Sequence, residues 1–133
     1  MVFENELQLP VKGASRRVTR RDFIPSGDTL VMFDEDGPGC VRHWWLTYTP
    51  GGKDAPHDRA HDLLLRFYYD GDDVPTVEVT LAQYFCILLE RDAYPVRSAA
   101  ITVLPKNACN CYLPIPFEAL RMELVNRSAS ETC

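Results

Sequence analysis

The sequence predicts an all-β domain, an antiparallel sandwich or barrel with one short helix. Period-two patterning is the first observation behind this. Val77, Val79 and Leu81 alternate with Thr76, Glu78 and Thr80, and Leu120, Met122 and Leu124 alternate with Arg121 and Glu123. Each set has one apolar and one polar face, the mark of a half-buried strand. The second observation is punctuation: ten prolines and seven glycines separate short apolar runs, so turns are frequent and strands short. The third is scale, because 133 residues with 46% hydrophobic and 11% aromatic content match one folded core.

In chain order, residues 1–14 read as an N-terminal extension strand on a tether, and residues 15–133 as the single domain. Phe3, Leu7 and Leu9 alternate imperfectly with Glu4, Glu6 and Gln8 before Pro10 ends the run. Such a strand either lies at the edge of its own sheet or adds to the edge of a neighbour. In the second case Phe3, Leu7 and Leu9 are the assembly contacts. Further strands are expected at 28–34, 40–48, 62–70, 76–81, 98–104, 109–115 and 120–125. Between them lie the turn signals Pro25-Ser26-Gly27-Asp28, Asp36-Gly37-Pro38-Gly39, Pro50-Gly51-Gly52, Asp70-Gly71 and Pro105-Lys106-Asn107. Only the stretch 81–90 has helical spacing, with Leu81, Tyr84, Phe85 and Leu88 on one face. Strands at this turn spacing close into a sandwich or a barrel, and periodicity does not choose between them.

A formal net charge of −5 argues against a nucleic-acid partner, since that affinity comes from Lys and Arg meeting phosphates. The local exception, Arg16, Arg17, Arg20 and Arg21, reads as a solvated segment or a mate for an acidic surface. No apolar run approaches the roughly 18 residues of a membrane-spanning helix, so no membrane partner is expected. Met1–Pro10 lacks the basic start and apolar core of a signal peptide. Either the protein stays inside the cell or a processed leader lies outside this sequence, and the compartment is open.

Five cysteines are an odd set. Cys109 and Cys111, two apart, share one face of a strand. They are either small buried hydrophobes or disulfide partners of Cys40 or Cys86. Zinc spacing is missing. His57 and His61, beside Asp54, Asp58 and Asp62, would hold a metal only on a helix, and Pro50, Gly51, Gly52 and Pro56 make that segment a loop. Asp34, Glu35 and Asp36, with Asp70, Asp72 and Asp73, offer oxygen ligands without the spacing of a calcium loop. No metal or cofactor is therefore expected. Without a Gly-x-Ser-x-Gly elbow or a histidine partner for a cysteine, the sequence nominates no catalytic residue.

Two readings stand for Asp36, Arg42 and Trp44, plain sandwich packing and a glycan platform. Asp36, Arg42 and Trp44 bring a hydrogen-bonding carboxylate, a bidentate donor and a stacking ring to one stretch of chain. Trp44 and Trp45 point to opposite faces of a strand, so at least one belongs to the core. Asn126-Arg127-Ser128 is a glycosylation sequon, with meaning only if the protein is exported.

Three segments in order carry a resemblance. They are the acidic turn and strand Phe33-Asp34-Glu35-Asp36-Gly37-Pro38-Gly39-Cys40-Val41-Arg42-His43-Trp44-Trp45-Leu46-Thr47, the run 62–79 containing Leu63-Leu64-Leu65-Arg66-Phe67-Tyr68-Tyr69-Asp70-Gly71, and Asn107-Ala108-Cys109-Asn110-Cys111-Tyr112-Leu113-Pro114-Ile115-Pro116-Phe117. Together, over roughly residues 15–126, they resemble the N-terminal jelly roll of glycoside hydrolase family 172, whose members cleave difructose anhydrides and arabinofuranosides. The resemblance implies a single antiparallel jelly roll. It also places the family's catalytic glutamates in a second jelly roll, C-terminal to the matched part, with no counterpart in these residues. A polar loop that members carry after the equivalent of Ser15-Arg16-Arg17-Val18 is shortened here, where Thr19-Arg20-Arg21-Asp22-Phe23 runs directly into Ile24-Pro25.

Two functions follow as expectations. One is a non-enzymatic structural jelly roll that self-assembles into a homo-oligomer, filament or shell, partly through its N-terminal segment. The alternative is a carbohydrate-binding module or partial glycoside hydrolase of the family 172 type, with glycans as partners.

Overall fold

The computed structural model describes residues 13–49, 60–87, 95–105 and 107–128. Phe3, Leu7 and Leu9 lie outside them, as does all of the expected extension except residues 13 and 14. Eight strands are seen in this part of the chain: β1 (Thr29–Val41), β2 (Trp44–Leu46), β3 (Leu63–Tyr69), β4 (Val77–Thr80), β5 (Val96–Arg97), β6 (Ile101–Leu104), β7 (Ala108–Cys111) and β8 (Ile115–Asn126). One helix, α1 (Leu81–Tyr84), follows β4. Sheet I has the order β1-β8-β3-β4 and sheet II the order β2-β7-β6-β5. Every pairing is antiparallel.

First strand pairs with last, and second with penultimate. This nesting is that of a chain wound from its ends inward, as in a jelly roll. The inner strands close by local pairing instead, β3 with β4 and β5 with β6 with β7. Alternation along β3 and β8 sends Leu63, Leu65 and Phe67, and Leu120, Met122 and Leu124, into the space between the sheets. Val103, Cys109 and Cys111 meet them from sheet II, while Leu81 and Phe85 plug one end. Each large side chain buried here contributes about 1.5–3 kcal/mol of transfer free energy. Cys40, Cys86, Cys109 and Cys111 are free thiols, the last two in the core. Of the two cysteine readings, the structure has the buried hydrophobes.

The expected break at Asp36-Gly37-Pro38-Gly39 is instead the middle of β1. Asp36 pairs with Ala119 and Gly39 with Phe117, so two residues bulge against one and the strand continues. Glycine is required by close approach rather than by a reversal. A Cβ on Gly37 would stand 2.6 Å from the Phe117 carbonyl oxygen, and one on Gly39 2.6 Å from the Phe117 ring. The helix is also shorter than its periodicity predicts. Thr80 and Gln83 form a capping box at its start. At its end the Ile87 amide donates to the Ala82 carbonyl and Cys86 adopts φ 60°, a Schellman stop.

Candidate functional site

The features that could act on a ligand lie on the outer face of sheet II. β2 and β7 pair Trp44 with Cys111, Trp45 with Asn110 and Leu46 with Cys109. Because Cys109 and Cys111 are in the core, Trp44 and Leu46 turn inward, and Trp45, Asn110 and Tyr112 turn outward. The next strands extend the outer row through Thr102 on β6 and Arg97 on β5.

His43 and Tyr112 stack on this face with ring centroids 4.6 Å apart and planes 7° from parallel. His43 Nε2 lies 3.1 Å from Asn110 Oδ1. Trp45 is 54% exposed and Tyr112 45%. The arrangement offers flat aromatic surface at one end and a hydroxyl and a guanidinium at the other, so it suits a ligand with an apolar face and a polar rim.

Beneath the face, Trp44 packs against Phe85, Tyr84 and Phe67 at 5.2, 5.4 and 6.2 Å. The Tyr84 hydroxyl lies 3.4 Å from Cys111 Sγ. Burial first, and this contact second, push the Tyr84 phenol above its ordinary range. Burial alone raises the Cys109 thiol to about 12. These groups stay protonated and serve packing.

An open groove of about 410 Å³ lies at the end of sheet I between Pro38, Gly39, Tyr69, Asp70, Phe117 and Glu118. Burial and the neighbouring Asp70 carboxylate raise the Tyr69 phenol. Asp70 is already engaged: its Oδ1 accepts from the Ala119 amide at 3.2 Å and its own amide donates to the Ala119 carbonyl. The groove's acidic wall is thereby partly committed to holding β3 against β8.

The three glycan candidates do not converge. Asp36 sits on β1 in sheet I, Arg42 in the link to β2, and Trp44, half-buried, packs against the core. The tryptophan that points outward is Trp45. Asn126 is corrected more sharply, being 0% exposed. Its Nδ2 donates to the Ile24 carbonyl at 2.8 Å, and its Oδ1 accepts from the Ser128 amide at 2.9 Å and the Ser128 hydroxyl at 2.6 Å. In the folded domain this sequon is a structural clamp, inaccessible to a glycosyl donor. His57 lies outside the described residues. Sequence reasoning passed over Trp45, His43 and Tyr112. The signal was present: Cys109 and Cys111 on one face imply Asn110 and Tyr112 on the other.

Architecture and face together define a jelly-roll-type β-sandwich with an outward aromatic surface. The family model described as the GH172 first beta-sandwich domain matches residues 11–126. The chain belongs to that family. Among curated proteins, the chain finds no match.

Proposed function

We propose that this chain is a non-enzymatic β-sandwich of the GH172 type that assembles with copies of itself. One observation carries the non-enzymatic part: among the described residues no carboxylate side chain is buried, the buried polar residues being Asn110, Asn126 and Ser128. Glycoside hydrolysis needs a carboxyl held protonated near neutral pH, together with a second one about 5–9.5 Å away. Exposed and half-buried carboxylates in turns and on polar strand faces do not meet that need.

The assembly part is supported by the way the chain enters the domain. Arg16 Nη1 contacts Glu35 Oε2 at 2.7 Å, so the chain just after residues 1–12 reaches β1 through a side chain. Among the described residues β1 forms one edge of sheet I, and an edge strand is the surface to which an extended segment adds by backbone pairing. Phe3, Leu7 and Leu9 then set the register against a neighbouring copy.

The purified chain is expected to leave aryl fructofuranosides and arabinofuranosides intact. Turnover that one carboxylate substitution abolishes, such as Asp36→Asn, would overturn the non-enzymatic reading. A second reading, a carbohydrate-binding module, is favoured by one specific feature, the outward aromatic face of sheet II.

A further inference from the structure

We propose that copies of this chain join head to tail, with the Arg20-Arg21-Asp22-Phe23 segment of one copy seated on the acidic end of sheet I of the next. This contact rests on the self-assembly reading and adds to it a charged surface separate from residues 1–12.

Register gathers the acidic end. Asp36 pairs with Ala119, and the Asp70 amide donates to the Ala119 carbonyl, so Asp34, Asp36, Asp70, Asp72, Asp73 and Glu118 collect where β1, β8 and β3 meet. None of the six stands in an ion pair among the described residues. The stretches 33–40, 69–76 and 115–119 contain no Lys or Arg to offset them. The loop after β3 is held in shape, since the Asp72 amide donates to the Tyr69 carbonyl and the Thr76 amide to the Phe67 carbonyl. Within that loop Val74 is 74% exposed.

The basic segment is anchored at the other end of the same sheet. Ile24 is 4% exposed, and its carbonyl accepts from Asn126 Nδ2 at 2.8 Å. Beside this anchor Phe23 is 65% exposed, and Arg20 and Arg21 are exposed with no ion pair among the described residues. Asp22 is turned onto its own chain, its Oδ1 accepting from the Phe23 amide at 2.9 Å. From Ala119 to Asn126 β8 runs about 23 Å at roughly 3.3 Å per residue, whereas Arg21 lies within about 11 Å of Ile24. Arg21 and Phe23 therefore do not reach the acidic end of their own domain, and a second copy supplies what each patch lacks. Exposed ion pairs contribute little singly. Here several carboxylates face two guanidiniums, and Phe23 against Val74 gives the contact an apolar centre. Because the two patches differ, the contact is heterologous and repeats into a ring or a filament.

Light scattering on the full chain reads this contact. Arg20→Glu with Arg21→Glu, and separately Asp72→Lys with Asp73→Lys, should each raise the concentration needed for assembly at least about tenfold, with circular dichroism unchanged. An equimolar mixture of the two variants should recover the unmodified particle mass, because each reversed patch then meets its complement. In the unmodified chain, raising NaCl from about 0.05 to 0.5 M, where screening shortens to a few ångströms, should lower the mass as well, a readout that needs no variant to fold. Variants that assemble like the unmodified chain, a mixture that stays small, or a mass indifferent to salt would overturn this contact and leave assembly through residues 1–12 standing. A full chain that is a monomer at every concentration removes the self-assembly reading, and this contact with it.

Discussion

Asn126 shows how far one side chain can depart from its motif. Its amide joins the end of β8 to Ile24 and to Ser128, while its backbone carbonyl accepts from Gly27. Asn126→Ala would orphan a buried carbonyl and an amide. The expected destabilisation is about 1–3 kcal/mol per group, read from the midpoint of urea unfolding. Cys109 gives a pH prediction. Its thiol is raised from 9.0 to about 12 by burial, so the folded state holds that proton more tightly than the unfolded chain. The associated stability is complete below pH 9 and is lost as pH rises through 12. At pH 10 the loss is about 1.4 kcal/mol relative to pH 8. Cys109→Val should flatten that part of the pH–stability curve; an unchanged slope would mean the thiol is not the titrating group.

At the level of elements, strands with one clean apolar face were the most legible. β3, β4 and the C-terminal half of β8 fall within a residue or two of where alternation places them, because burial on one side writes itself into every second residue. The acidic turn was misread because Gly37 and Gly39 carry the same letters as a reversal, while their physical cause is the Phe117 backbone and ring lying across β1. That cause is more than 70 residues distant in sequence and leaves no local trace. The helix was overextended for a related reason, since its spacing continues past Phe85 while Cys86 ends it. Cys86 sits at φ 60°, where a side chain costs about 1 kcal/mol. Cys86→Gly should therefore raise stability by up to about that amount in thermal or denaturant unfolding, and a loss would show that the thiol's own contacts outweigh the strain. The site was half legible. Alternation required that Trp44 and Trp45 part, but which of them faced the core depended on pairing with β7 rather than on either neighbour.

For the whole molecule, nested pairing of β1 with β8 and of β2 with β7 makes the domain's two ends meet in one sheet. That topology puts the chain's entry beside an edge strand, with Arg16 on Glu35, and leaves the aromatic face of sheet II on the opposite layer. The proposed strand addition and any contact on the aromatic face would therefore use separate surfaces. Separability gives the central claim its sharpest test, a light-scattering mass for the full chain and for a form lacking residues 1–12, across a range of protein concentrations. A multi-chain particle is expected for the full chain and a smaller one for the truncated form, both with the same strand-dominated circular dichroism. Equal masses for the two forms would contradict that claim and return the N-terminal segment to the edge of its own sheet.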